Sequence, residues 1–424
     1  MSVRHLRSAA ICGGSGIRAM FGPPMVSVLT VVLLGCAAFA VGLQALGVWA
    51  SVRHSRLRPR RVPDAELPPV SLLKPIKGVE EDLEANLRTF FEQDYPAPFE
   101  LVFASTERDD RGIALARRIA ADYPGVPVRF VASDASFGLN PKVANLKGAL
   151  DAASHDLVLQ SDANCRVRRD YLRRVVGEML GAGASLLTSM VVGTGERSVG
   201  AAMENLQLSA FISPAMCTAL HLAGINCVVG KSMLFRRSEL EEAGGLELVR
   251  DILAEDFILG QTYQRMGKRV ALSATTVENV NRDIPVTQFM ARHSRWLKMR
   301  AVIHVGGFVA DLLSNPTPLL AAAWVASGFD WRVGVALAVV APAKIALDAF
   351  YMRLARGRSM HLGHLLLAPM KDGLMALIWI YACFSRSVVW RGRRLRLQRG
   401  SRLRPDEGAL PVRLVRRVLG GASD

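Results

Sequence analysis

The sequence predicts an α/β domain with a mostly parallel sheet, flanked by transmembrane helices at both ends of the chain. About half of the 424 residues are hydrophobic and the mean hydropathy is positive, which is unusual for an ordinary soluble protein of this length. Long apolar runs lie near the N-terminus and in the last third of the chain. Between them, short β-branched runs alternate with helical patterns, as in sheets covered by helices on both faces.

The first apolar run, residues 25–50, predicts a transmembrane helix. It has 26 residues without a charge, and roughly 20 suffice to cross a bilayer. A signal peptide, or a lipoprotein signal ending at Cys36, would need a core of roughly 7 to 15 residues. The run continues for fourteen residues beyond Cys36, so we expect a retained anchor. Residues 1–24 lack periodicity and are expected to be poorly ordered, with Met20 and Met25 as alternative starts.

The formal charge of +16 is concentrated at the edges of the apolar segments. Basic clusters at residues 51–61 and 385–404 follow the first and the last of these segments. The positive-inside rule places both in the cytoplasm, where they also attract anionic lipid headgroups. The basic residues cluster at membrane boundaries and lack an interleaved aromatic platform, so we expect no nucleic-acid partner. The six cysteines show no metal-ligand spacing, which indicates a reducing compartment.

Residues 68–300 have the composition of a cytoplasmic α/β domain. Its predicted strands are residues 70–76, 99–105, 128–133, 156–162, 185–192, 227–235 and 269–275, with helices between them. In such sheets, ligands bind beyond the carboxyl ends of the strands. The functional residues are therefore expected where strands end.

Residues 301–385 are predicted to form a transmembrane or re-entrant region. Two apolar segments flank the short turn at 329–331 and predict a transmembrane hairpin. A third segment, 365–384, is interrupted by Lys371 and Asp372, and ionisable residues at mid-depth are costly. A third span would also place the basic residues 386–424 outside, so we expect a re-entrant or interfacial element followed by a basic cytoplasmic tail.

Acidic residues follow several predicted strands. Asp109 and Asp110 come after 99–105, Asp162 ends 156–162, and Glu255 and Asp256 open a predicted helix. Any one of them alone is more simply a turn or N-cap residue. Together, they can converge on the carboxyl edge of one sheet.

A second cluster lies in residues 288–300, QFMARHSRWLKMR. On a helix, Arg292, Arg295 and Trp296 share one face. Arginine forks bind phosphate oxygens and an aromatic ring packs on a sugar or a cation. A juxtamembrane helix whose basic residues reach the headgroups explains the spacing equally well.

These segments carry a resemblance to a known family. The matching blocks, in order, are residues 68–96, 137–167, 224–246, 252–273 and 288–300. With them the chain resembles the family 21 glycosyltransferases, the ceramide glucosyltransferases, which are related to family 2 GT-A enzymes and similar to bacterial hopanoid glycosyltransferases. Their pattern is three spaced aspartates followed by (Q/R)xxRW. The resemblance implies a GT-A domain anchored in a membrane.

The resemblance also implies an inverting transfer of a hexose, most simply glucose, from a UDP-sugar to the hydroxyl of a ceramide-like lipid. It makes Asp256 the general base, with Glu255 orienting the site or capping the helix. The UDP-binding candidates are Lys74, Asp109, Asp110, Asp162, Arg292, Arg295 and Trp296. Lys142 is a further lysine within reach of phosphate.

A divalent cation, Mg²⁺ or Mn²⁺, is expected at Asp162. The usual Asp-x-Asp is incomplete here, since Asn164 stands at the second position. One carboxylate with diphosphate oxygens and water can still hold such an ion.

Alternative acceptors are a hopanoid, with UDP-GlcNAc as donor, and diacylglycerol. A non-catalytic membrane scaffold is a remote alternative. The Arg/Ala-rich composition suggests a bacterial inner membrane.

Overall fold

The computed structural model describes residues 23–58, 62–390 and 393–406. Expectations for residues 1–22 and 407–424 fall outside these ranges. The central feature is an eight-stranded sheet in the order β3-β2-β1-β4-β7-β6-β8-β5. Its strands are β1 Val70–Pro75, β2 Phe99–Ser105, β3 Val128–Ala132, β4 Leu157–Ser161, β5 Cys165–Arg166, β6 Leu186–Thr194, β7 Ser232–Arg236 and β8 Val270–Val280.

The sheet is mostly parallel, which confirms the predicted α/β class. Strands β3, β2, β1 and β4 run in one direction, and β6 is parallel to β8. Strand β7 is antiparallel to both β4 and β6. All seven predicted strands are found, and the two-residue β5 is an addition. The carboxyl ends of β1, β2 and β4 therefore meet at one edge of the sheet.

Helices cover both faces of this sheet. They are α2 Leu83–Phe91, α3 Arg111–Ala121, α4 Pro141–Ala152, α5 Tyr171–Ala182, α6 Val199–Gln207, α7 Ser213–Ala223, α8 Arg237–Glu242, α9 Glu255–Arg265 and α10 Val286–Ile303, after α1 Pro23–Ser55 near the N-terminus. Alternate residues of β1 point to opposite faces of the sheet. Leu72 packs in the core with α2 and α3, and Leu73 packs in the core with α4 and α9.

A bundle of apolar helices follows α10. It contains α11 Val305–Leu313, α12 Pro316–Ala326, α13 Trp331–Arg356, α14 Leu362–Leu365 and α15 Ala368–Phe384. By length and composition, four helical stretches of the described residues can cross a membrane: Ser27–Ser55, Val199–Ala223, Trp331–Arg356 and Leu362–Phe384. The chain is therefore a membrane protein with apolar helices at both ends, as predicted. The stretch Val199–Ala223 was not anticipated, and it continues from α6 to α7 through a π-helical turn at Leu208–Ile212.

The ionisable residues that interrupt the last apolar segment are buried and paired. Lys371 contacts Asp372 at 2.5 Å and donates to Gln207 Oε1 at 3.1 Å. Lys344 pairs with Asp348 and lies 4.0 Å from Asp372. Intramembrane charges are tolerated when they face the interior of a bundle and pair with one another.

The basic segment after α15 forms a small antiparallel sheet that the sequence did not reveal. Its strands are β9 Ser387–Trp390, β10 Arg393–Leu397 and β11 Leu403–Pro405. Leu253 N–H donates to the Ser401 carbonyl at 3.0 Å, and Leu403 N–H donates to the Asp251 carbonyl at 2.7 Å. The C-terminal sheet is thereby joined to the loop that leads into α9.

Candidate active site

The strand register places Asp162 beside Lys231. Ser161 of β4 pairs with Ser232 of β7, and Asp162 N–H donates to the Lys231 carbonyl at 3.2 Å. Lys231 Nζ then reaches Asp162 Oδ2 at 3.1 Å and Asn164 Oδ1 at 2.9 Å. Sequence reasoning missed Lys231, because the antiparallel insertion of β7 next to β4 leaves no signal in the local pattern.

Lys142 connects Asp162 to the acidic pair of α9. Asn140 caps α4 by accepting from the Lys142 and Val143 N–H groups, which places Lys142 in the first turn. Its Nζ contacts Asp162 Oδ1 at 3.1 Å and Glu255 Oε1 at 2.9 Å. The same ammonium donates to the Gly230 carbonyl at 3.0 Å. Two of the three predicted acidic sites are thus brought together by this lysine.

Asp256 and Glu255 occupy the first turn of α9, where the helix dipole favours negative charge. Asp256 Oδ2 accepts a hydrogen bond of 2.6 Å from Gly230 N–H. Burial and the neighbouring Glu255 raise the pKa of Asp256 to about 6. A carboxylate poised near neutrality is suited to take a proton from a substrate.

Asp162 has the opposite electrostatic setting. Burial alone would raise its pKa, but Lys142 and Lys231 outweigh burial and hold the pKa at about 2. The pKa values of these two carboxylates therefore lie far apart although both belong to one site. Such a difference is typical of acid/base sites. Asp162 stays ionised at any physiological pH, whereas Asp256 exchanges its proton.

The absence of a side chain at Gly230 allows Lys142 and Asp256 to lie close together. A Cβ at this position would lie 2.9 Å from Lys142 Nζ and 3.0 Å from Asp256 Oδ2. Both distances are too short for a carbon, so any larger residue would push the lysine or the carboxylate away.

The first acidic pair behaves differently. The Asp110 carboxylate accepts hydrogen bonds from Gly78 N–H, Ser105 Oγ and Gly112 N–H at 2.9, 2.8 and 2.7 Å. It caps α3 and ties the loops after β1 and β2 together. Asp109 is exposed beside it. Both residues lie at the predicted edge, and their contact with a nucleotide stays a prediction.

Lys74 lies beneath the site and is fully buried. Its ammonium donates to the Asp162 carbonyl at 2.9 Å and sits 3.4 Å from the centre of the Phe90 ring. Burial lowers its pKa to about 7. In this position Lys74 supports the turn after β4, and its predicted role in donor binding is untested.

The basic face of α10 is fixed by a carboxylate that sequence reasoning missed. Glu204 of α6 is fully buried, contacts Arg292 Nη1 at 2.9 Å and bonds His293 Nε2 at 3.0 Å. Arg295 is half-buried and is engaged in the fold. The Trp296 ring meets the His293 ring edge-on at 5.2 Å. The apolar surroundings of Glu204 gave no hint of a partner on a distant helix.

The surroundings of Asp162 bear on the divalent cation predicted there. Both Asp162 oxygens contact ammonium groups at 3.1 Å, so an ion there would face two positive charges. The described residues hold no cluster of three or more His, Cys, Asp or Glu side chains suited to a metal. These residues do not fit a preformed divalent site, and we derive no reaction step from one.

An open cavity lies between α10 and the C-terminal bundle, and its empty space of about 530 Å³ includes part of the surrounding solvent. Phe211, Trp296 and Trp379 supply apolar wall, while Asn315 and Asp372 are among its polar residues. Trp296 therefore belongs to this cavity as well as to the basic face of α10.

A family model described as glycosyl transferase family 21 matches residues 30–403. The chain belongs to this family. Ceramide glucosyltransferase 1 of Caenorhabditis elegans is 26% identical over 372 residues, covering 84% of this chain and 78% of its own length. The ceramide glucosyltransferase of Komagataella phaffii is 31% identical over 195 residues. This match covers 41% of this chain and 38% of the relative's own length. The chain is accordingly a glycosyltransferase, as predicted.

Among solved structures, a mannosyltransferase from Pyrobaculum calidifontis in complex with GDP-Man and Mn²⁺ matches 84% of this chain and 99% of its own. The identity is 18% and the TM-score 0.46. At this TM-score the likeness carries no argument about substrate or metal. The relatives named above come from a nematode and a yeast, so they give no support to the bacterial inner membrane suggested by composition.

Proposed function

We propose that this family 21 enzyme transfers a hexose, most simply glucose, from a UDP-sugar to the hydroxyl of a ceramide-type lipid. One observation carries the proposal: Asp256, whose pKa burial and Glu255 raise to about 6, lies with Lys142 at Gly230, on the edge of a sheet domain that apolar helices flank in the chain. A water-soluble donor and a membrane lipid can meet at such a position. The names of the relatives support the same substrate pair.

The donor side supplies positive charge for the diphosphate. Lys142 and Lys231 hold Asp162 between them, and phosphate oxygens are acceptors of the same kind as carboxylate oxygens. Arg292 and Arg295 on α10 add guanidinium groups. Positive charge at this place stabilises the UDP that leaves. Asp162 orients the two lysines, and Asp109 and Asp110 lie toward the nucleotide end of the edge.

The reaction is a single displacement. The acceptor hydroxyl oxygen forms a bond to the anomeric carbon while the bond from that carbon to the phosphate oxygen breaks. UDP leaves with the electron pair of the broken bond, and Asp256 takes the hydroxyl proton. Attack from the face opposite UDP inverts the anomeric configuration. Glu255, held by Lys142, raises the proton affinity of Asp256.

The membrane arrangement follows from the basic flanks. Residues 51–61 and 385–404 are placed in the cytoplasm by the positive-inside rule. The sheet domain begins directly after the first cluster, and the second cluster is hydrogen-bonded to the loop before α9. In this arrangement the domain faces the cytoplasm, where UDP-sugars are made.

The test is UDP release from membranes supplied with UDP-glucose and ceramide. We expect ceramide-dependent release by the wild type and a loss of about 10²- to 10⁴-fold in Asp256→Asn, the usual contribution of a general base. Binding of UDP-glucose should persist in the variant. Equal release by wild type and variant with every lipid tried contradicts the proposal, and loss of UDP-glucose binding moves Asp256 to the donor site.

A further inference from the structure

The cavity between α10 and the C-terminal bundle presents oxygen atoms that have no partner. Asn315 is 5% exposed, and its Oδ1 has no hydrogen-bond donor within the described residues. Asp311 Oδ2 is in the same situation. Both residues line the cavity. A buried acceptor without a donor is costly, and such groups call for a specific explanation.

Two hydrogen-bond donors of the cavity wall already have partners. Arg300 Nη1 donates to Asp311 Oδ1 at 2.5 Å, and Trp379 Nε1 donates to the Phe308 carbonyl at 2.7 Å. Lys371, behind the wall, donates to Gln207. A ligand that pairs with Asn315 Oδ1 and Asp311 Oδ2 must therefore bring hydrogen-bond donors of its own.

The helix beside the cavity is irregular. The π-helical turn Leu208–Ile212 interrupts the long helix Val199–Ala223, and both Phe211 and Ile212 line the cavity. Turns of this type often occur at functional sites, because the wider backbone displaces side chains from the regular helical positions.

A short loop joins this cavity to the catalytic carboxylate. Burial raises the pKa of the Cys227 thiol, on which Arg300 and Asp311 act with opposite signs, so Cys227 lies near that pair. Gly230, three residues later, bonds Asp256 at 2.6 Å. Three residues span at most about 11 Å. The neighbourhood of Arg300 and Asp311 is therefore joined to the backbone partner of Asp256 by a short stretch of chain.

We propose that this cavity binds the head of the lipid acceptor and selects heads with several hydrogen-bond donors. An amide N–H and two hydroxyls, as in a ceramide-type amide diol, satisfy Asn315 Oδ1 and Asp311 Oδ2 and leave a hydroxyl to react. A diacylglycerol has one hydroxyl and brings ester carbonyls, which are acceptors facing acceptors. This role of the cavity rests on the proposed function. The two unpartnered oxygens are the feature that selects the class of lipid acceptor.

The test compares a short-chain ceramide with a short-chain diacylglycerol on the purified full-length enzyme. We expect the wild type to favour ceramide in kcat/KM by about tenfold or more, the effect of leaving one buried acceptor unpaired. Asn315→Leu should remove most of this preference and raise the ceramide KM while the UDP-glucose KM is unchanged. Asn315→Asp, which keeps the acceptor oxygen, should retain the preference.

Thr317→Val is the matched control. Thr317 lies in the first turn of α12, two residues after the N-cap Asn315. It is 6% exposed and also has an unpartnered oxygen within the described residues, but it is not part of the cavity wall. We expect the ratio of kcat/KM for ceramide to kcat/KM for diacylglycerol in this variant to equal the ratio in the wild type. If Asn315→Leu does not fold, Asp311→Asn, which replaces one carboxylate oxygen by a donor, serves the same purpose and should lower the ratio.

Two failures are distinguishable. A wild-type enzyme that transfers sugar to no lipid contradicts the proposed function, and binding of radiolabelled short-chain ceramide without donor then tests the cavity directly. The enzyme could also transfer sugar to lipid with a ceramide to diacylglycerol ratio of kcat/KM that neither Asn315→Leu nor Asp311→Asn changes. That result contradicts only the role proposed for the cavity.

Discussion

The sheet edge and the membrane-side cavity differ in how completely their buried acceptor oxygens are paired. At the edge, Asp162 and Glu255 lie within 3.1 Å of an ammonium group, and Asp256 accepts a backbone N–H. In the cavity, Asn315 Oδ1 and Asp311 Oδ2 have no hydrogen-bond partner among the residues that the structure describes. The difference indicates that the donor side is organised by the protein itself, whereas the acceptor side is completed by its ligand.

The largest effect is expected from removing the cation that organises the edge. Lys142→Met leaves the buried Glu255 without its ammonium partner and Asp162 with Lys231 alone, so we expect a loss of about 3–5 kcal/mol in the free energy of unfolding and a fall of about 100-fold in kcat. Thermal unfolding and UDP release measure both quantities. Lys147→Met is the matched control, since Lys147 lies on the same helix and pairs with the exposed Asp151. That pair is worth about 1 kcal/mol or less, and an equal effect of both variants would refute the special role of Lys142.

A smaller effect should follow from loosening the C-terminal sheet. Leu403 is 2% exposed and packs with Leu253, just before the acidic pair of α9. Leu403→Ala should lower the free energy of unfolding by about 2–5 kcal/mol. Because Asp256 is then held less firmly, we also expect kcat to fall about tenfold with the UDP-glucose KM unchanged.

Arg404→Ala is the control for the C-terminal sheet, since Arg404 is an exposed neighbour on the same strand. Stability loss without a change in kcat at a temperature where the Leu403→Ala variant is folded would show that the sheet is only structural.

The pH profile sharpens the contrast between the two aspartates. Transfer requires the ionised Asp256, so kcat/KM should rise tenfold per pH unit below about 6 and level off above it. Glu255→Gln removes the neighbouring carboxylate and should move this inflection to lower pH. A profile that is flat between pH 5 and 7 would contradict the assignment of Asp256 as base.

The same shift has a consequence for folding. Because the pKa of Asp256 is raised in the folded protein, the folded state holds this proton more tightly than the unfolded chain. The contribution of Asp256 to stability is thus full below its ordinary pKa and is lost as the pH rises through about 6. In Asp256→Asn this part of the pH dependence of unfolding should disappear.

The smallest effect is expected from chelation. Lys142 and Lys231 already supply positive charge at Asp162, so activity should be retained in EDTA. A loss that Mg²⁺ or Mn²⁺ reverses would instead support the divalent cation predicted at Asp162 from the family resemblance, bound together with the diphosphate of the donor.

The positions of the strands and the acidic residues at their ends could be predicted because they depend on local patterns. Asp162, Glu255 and Asp256 stand at element boundaries that hydrophobic periodicity marks clearly. Lys231 and Glu204 could not be predicted in this way, because their roles depend on the antiparallel placement of β7 and on the contact between α6 and α10. The sheet at 387–405 was hidden for a similar reason, since its alternating Arg and Leu residues also fit a basic tail.

The central claim is best tested by mass spectrometry of lipids from cells that express the full chain. We predict a hexosylated ceramide-type lipid in cells with the wild type and its absence in cells with Asp256→Asn at equal protein level. The same lipid profile in both, or a new glycolipid built only on diacylglycerol, would contradict the account.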